Sequence, residues 1–174
     1  RTQTPSGFFW ESTDEAGLAG HSFHPPYAKD WHLLRKSGDV LYFLIKHFQV
    51  LEERGKTIPD SFLEGTQKLA NAFVRVWKEY GQFGQFVNLQ TGKLVVGGST
   101  SCAMVPAGLA LASQFLEMPE YLVIAEQAAE QYCKRDLENG YTTGGPGEIL
   151  QCPDSESAFA LLESLVTLYD ITGE

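Results

Sequence analysis

Apolar residues recurring at steps of three and four leave this chain few options other than paired helices. From Trp31 to Glu53, the positions Leu33, Leu34, Ser37, Val40, Leu41, Leu44, Ile45, Phe48 and Leu51 fall on one wide helical face, with Asp30 as the expected cap. The turn RGKTIPD, carrying Gly55 and Pro59, stops that run. Phe62, Leu63, Thr66, Leu69, Ala70, Phe73, Val74 and Trp77 then repeat the pattern through Tyr80. Two such helices joined by a short turn form an antiparallel hairpin.

A second unit follows. STSCAMVPAGLALASQFL is apolar almost all round, which predicts a helix buried on every side. Pro106 requires that this helix either begin near Val105 or kink there. The turn LEMPE leads to a fourth amphipathic run through Tyr121, Leu122, Ala125, Ala128, Ala129, Tyr132 and Cys133. A fifth, after Asp154, places Ala158, Leu161, Leu162, Leu165, Leu168 and Tyr169 on one face. Between the first two units, Phe86 to Leu89 and Lys93 to Val96 flank QTG, predicting a small β-hairpin near 85–97 that needs something to pack on.

PDSFLEGTQKLANAF and PEYLVIAEQAAEQY occupy equivalent places in successive units, and DITGE repeats their acidic turn a third time. The chain thus reads as one all-α domain of antiparallel helical hairpins. Residues 1–30 form an irregular arm, 31–81 hairpin one, 100–137 hairpin two, and 154–174 the first helix of hairpin three. An unpaired half-hairpin exposes an apolar face, so the remainder of a longer chain or another subunit is expected to cover it. The opening at Arg1 without a methionine points the same way.

A net charge of −9, from 13 basic and 22 acidic residues, speaks against nucleic acid, since no basic cluster is available to neutralise phosphates. The longest wholly apolar run, Val40 to Ile45, is far short of a membrane span. Cys102, Cys133 and Cys152 lack metal-ligand spacing. His21 and His24 precede two prolines and have no third partner, so neither a metal nor a cofactor is expected.

The densest chemistry runs from Gly144 to Phe159, reading GGPGEILQCPDSESAF. Asp154 or Ser155 is placed to cap the fifth helix, with Glu156 in its first turn. Glu148 and Gln151 sit in the Gly/Pro-stiffened loop with no capping role, which makes them candidates for acid/base work or ligand hydrogen bonding. In a hairpin array every connection preceding a first helix lies at one end. The loops around His24–His32, Phe83–Ser101 and Gly140–Glu156 would therefore share a rim, where Trp10, Tyr27, Trp31, Phe83, Phe86 and Tyr141 could offer stacking surfaces.

Gly97-Gly98-Ser99-Thr100-Ser101 running into a buried Ala/Gly/Leu helix, then PEYLVIAEQAAEQY, then GGPGEILQCPDSESAFALLESLVTLYDITG, resembles the six-hairpin glycosidase-like proteins. These (α/α)6 toroids include bacterial glycoside hydrolases, unsaturated glucuronyl hydrolases and polysaccharide lyases. The resemblance covers the chain from about residue 27 onward and implies a partial (α/α)6 toroid acting on an oligosaccharide, in a secreted or periplasmic setting. Glycoside hydrolysis needs one protonated and one ionised carboxyl group. Glu148 and Asp154 are the expected catalytic pair, with Asp30 a third candidate from the neighbouring loop. Trp31, His32, Tyr27, Gln151, Phe86, Tyr141 and Glu156 are the expected substrate contacts. Two alternatives stand beside this reading. One is a helical-repeat module that binds a glycan or protein without catalysis. The other is a toroid lyase or epimerase using His21, His24, His32 or Tyr141 as base.

Overall fold

A computed structural model describes residues 3–10, 12–14, 17–19, 28–144 and 152–174. The expected helices are present: α1 (Leu34–Glu53), α2 (Asp60–Tyr80), α3 (Val105–Phe115), α4 (Pro119–Arg135) and α5 (Ser155–Thr172). Ahead of them, strands β1 (Ser12–Asp14) and β2 (Gly17–Ala19) pair antiparallel in the arm. The architecture is mostly helical, with a small three-stranded antiparallel sheet built from β3 (Trp31–Leu33), β4 (Phe86–Asn88) and β5 (Leu94–Val96) in the order β3-β4-β5.

That sheet corrects the start of the first helix. Trp31, His32 and Leu33 pair with Asn88, Val87 and Phe86, so β3 supplies the third strand that the β4–β5 ribbon requires. α1 starts at Leu34, and no side chain caps it; Asp30 instead offers its backbone carbonyl to Leu89 N at 2.8 Å. The proline ambiguity resolves to a clean start: Val105 opens α3 and Pro106 occupies the first turn, where a missing N–H costs nothing.

The helices stand in two layers. Along α1 and α3 the contacts keep a constant sequence separation. A Cβ at Gly38 would lie 2.8 Å from Val105 Cγ2, one at Gly108 would lie 3.1 Å from Leu41 Cγ, and Phe48 meets Phe115 at 5.8 Å between ring centroids. Constant separation means parallel axes in register, and the two glycines let the backbones approach closely. α5 joins the same layer. Ser164, fully buried, accepts from Ala107 N at 3.0 Å and donates to the Ala103 carbonyl at 2.5 Å. In the other layer, Tyr121 Oη donates to Asn71 (2.8 Å), Trp77 Nε1 to Gln127 (3.1 Å) and Gln131 Nε2 to the Gly81 carbonyl (2.6 Å), each pair 50 residues apart. α2 and α4 are therefore also parallel and in register. α3 lies at the centre, buried over nearly all its length, as an all-round apolar helix must be.

Candidate functional site

The connections that precede α1, α3 and α5 meet at one end of the layers. Leu34 N donates to the Gln85 carbonyl at 2.9 Å, tying the α1 start to the segment before β4. Thr100 N donates to the Thr143 carbonyl at 3.0 Å, and Thr143 N returns a bond to Thr100 Oγ1 at 3.2 Å. The Thr100 hydroxyl donates to Asp136, which is 5% exposed and held by Arg135 through Nε at 2.7 Å and Nη2 at 2.6 Å. Before α5, Gly144 N donates to the Cys152 carbonyl at 3.1 Å and Asp154 N to the Thr142 carbonyl at 3.1 Å. The turns between α1 and α2 and between α3 and α4 lie at the opposite end, where Phe48 meets Phe115.

On this end a cleft of about 510 Å³ opens between α1 and α5. Arg35, Asp39, Tyr42 and Phe43 line it from α1, Glu156, Phe159, Ala160 and Glu163 from α5, and Met104 from the approach to α3. Arg35 pairs with Glu156 and the Tyr42 hydroxyl donates to Glu163, both contacts spanning 121 residues, so α1 and α5 run parallel across the opening. Arg35 also reaches Asp39 at 3.7 Å. One guanidinium thus stands between two carboxylates.

Their environments differ. Burial pushes the Asp39 carboxyl up from its ordinary value; Arg35 opposes that shift and Glu156 adds to it. Glu156 lies more open, its side chain 54% exposed. Burial, reinforced by the bond to Glu163, pushes the Tyr42 hydroxyl up to about 12, so it donates at any physiological pH. A carboxyl biased toward its proton beside an ion-paired carboxylate is the division of labour that acid/base chemistry uses. Phe43 and Phe159 stand exposed at the opening, 62% and 69% accessible.

Of the residues expected from the sequence, Glu156 is the one that lines this cleft. Glu148, Gln151 and Tyr27, together with His21 and His24, lie outside the described residues. Asp154 caps α5, its Oδ1 accepting from Ser157 N at 2.8 Å and Oδ2 from Ser157 Oγ at 3.0 Å. Two expected contacts need correcting. Phe86 is fully buried and packs against Trp31 at 5.9 Å, so its ring is core rather than a stacking surface. His32, 1% exposed, bonds to Ser37 Oγ at 2.7 Å through Nε2 and packs against the Phe8 ring at 6.1 Å between centroids, so it belongs to the interior. Trp31 is half-buried, Asp30 half-exposed, and Tyr141 sits exposed on the rim.

Arg35, Asp39, Tyr42 and Glu163 went unnoticed in the sequence, although a signal exists. Positions 35, 39 and 42 repeat at helical spacing and place polar groups on a run otherwise read for its apolar face. Among the described residues no group of three or more His, Cys, Asp or Glu is placed to hold a metal ion, and no helix is long and apolar enough to cross a membrane. No family model, curated protein or solved structure matches this chain.

Proposed function

We propose that this chain is part of a carbohydrate-active enzyme, a glycoside hydrolase of the (α/α)6 toroid type, with its acid/base carboxyl groups in the cleft between α1 and α5. The observation that carries this reading is the pair Asp39 and Glu156 on either side of Arg35, with burial favouring the proton on Asp39. In this scheme Asp39 protonates the leaving glycosidic oxygen. An ionised carboxylate, Glu156 or Glu148, takes the proton of the attacking water. Phe43 and Phe159 hold the sugar rings, while Arg35 orients both carboxyl groups.

The test is turnover of neutral and uronic oligosaccharides by the wild-type chain and by Asp39→Asn, Glu156→Gln, Glu148→Gln and Asp154→Asn. Loss of the general acid lowers kcat by about 10²–10⁴, so Asp39→Asn should fall in that range with an unchanged melting temperature. Asp154→Asn, which keeps a capping side chain, should stay near wild type. Wild-type turnover in both Asp39→Asn and Glu156→Gln would remove the cleft from the mechanism. No turnover on any substrate would favour a non-catalytic helical-repeat module, a reading that the exposed apolar rows on α1 and α5 also suit.

A further inference from the structure

We infer that the α1–α5 cleft takes a glycan free of carboxylate and sulfate groups, because its lining has no cation left over for an anionic sugar. The inference rests on the reading of this cleft as a glycosidase site and narrows the substrate class of that site. Among the described residues that line the opening, Arg35 alone carries positive charge. That guanidinium is already shared: Nη1 pairs with Glu156, and Nε stands 3.7 Å from Asp39. Glu163 accepts from the Tyr42 hydroxyl, a neutral group that cancels none of its charge. The formal count therefore stays negative whichever state the acid is in. With Asp39 ionised, the lining carries one positive and three negative charges; with Asp39 protonated, one and two.

The surroundings supply no substitute. Lys46 lies over the Tyr42 ring at 5.5 Å, but it lines the neighbouring groove with Val40, Leu44, His47 and Val50 rather than the cleft. α5 bears no lysine or arginine along its length. The rest of the lining, Phe43, Met104, Phe159 and Ala160, is apolar. A sugar carboxylate entering here would give up water and meet like charges, with no unshared cation in return. A hydroxymethyl group at the same place on the sugar ring carries no charge to oppose. At a net charge of −9, the whole chain also repels polyanions before contact.

The probes are two matched pairs: an oligoglucuronate and an oligogalacturonate, each beside its carboxyl-reduced twin, in which every carboxylate has become a hydroxymethyl group. Binding to the whole chain is measured by titration calorimetry in Asp39→Asn, which stops turnover and stands for the protonated acid. In at least one pair the neutral twin should bind about tenfold or more tighter than the uronic member at about 20 mM salt, and the gap should narrow at about 500 mM. Adding Glu163→Gln removes one negative charge and keeps an acceptor for Tyr42, so the ratio should fall at least about threefold. Equal binding within the pairs, preference for a uronic member, or a ratio that neither salt nor Glu163→Gln changes would overturn the inference and leave the glycosidase reading intact. Failure of all four oligosaccharides to bind at about 10 mM would overturn that reading, and this inference with it.

Discussion

Asp136 ties the connection before α5 to the one before α3, and removing its carboxylate should loosen the whole loop-bearing end. In Asp136→Ala the Thr100 hydroxyl loses its acceptor and Arg135 loses two charge-assisted bonds in a pocket only 5% open at Asp136. Breaking a buried ion pair from one side costs about 3–5 kcal/mol. The Arg135 side chain, however, is 32% exposed and can turn to water, which lowers the expected loss to about 2–3 kcal/mol. A chain of this length unfolds with an entropy of roughly 0.37 kcal/mol/K, so the melting temperature should fall by about 5–8 °C. Asp136→Asn keeps an acceptor for Thr100 and should lose about half as much. Thermal melts give the totals, and amide hydrogen exchange locates them. Protection should drop first at Thr100 N, which bonds to the Thr143 carbonyl, while α2 amides keep theirs. A melting shift below about 2 °C for Asp136→Ala, or uniform loss of protection, would refute the view that this network holds the end together.

Alanine at Gly38 should destabilise despite its better helix propensity. Its Cβ would sit 2.8 Å from Val105 Cγ2, and overpacking of about 1–3 kcal/mol outweighs a propensity gain of at most about 1 kcal/mol; urea titration should show a lower midpoint, with Val105→Ala on the same chain restoring part of it. Tyr42 and Asp39 both have folded values above their ordinary ones, so each binds its proton more tightly in the folded chain and contributes stability that fades as pH rises. The Tyr42 contribution should be complete below pH 10 and disappear by about pH 12, a loss that Tyr42→Phe should abolish in alkaline melts. The Asp39 contribution should be complete below pH 3.8 and fade as the pH rises above it, and Asp39→Asn should flatten that part of the profile.

The helices were legible because a three-to-four spacing of apolar residues has one cheap solution, and each hairpin closes through a local turn. β3 was not, for a reason its residues make plain. Leu33 continues the apolar face of α1 without a break, and the partner of Trp31-His32-Leu33 lies at Phe86–Asn88, a pairing that no local pattern reports. Burial of Phe86 and His32 follows from the same pairing, so misplacing the helix start also misplaced two expected contacts. The cap at Asp154 was readable from Pro153 and the acid in the first turn. Asp39 was not, because its environment is made by Arg35 one turn before it and by Glu156 on a helix far along the chain. A sequence lists carboxylates; which of them becomes desolvated depends on how closely two distant helices approach.

That approach is set by packing, and the connections are left free to vary. α2 and α4 keep a separation of 50 residues across three successive contacts, and α1 and α5 keep 121 across two. Yet the connections differ in kind: a β-hairpin precedes α3, whereas a short 3-10 turn at Leu137–Asn139 and a glycine-rich segment precede α5. Register therefore comes from side chains such as Ser164 and from close backbone approach at Gly38 and Gly108, because loop closure costs only about 0.6 kcal/mol per doubling of loop length. One end of the array can then accumulate long, polar connections without disturbing the layers, while the short turns at the other end cannot. Chemistry should gather at the long-connection end for that reason, and a substitution in the turns at 54–59 or 116–118 should change stability while leaving the α1–α5 cleft as it is.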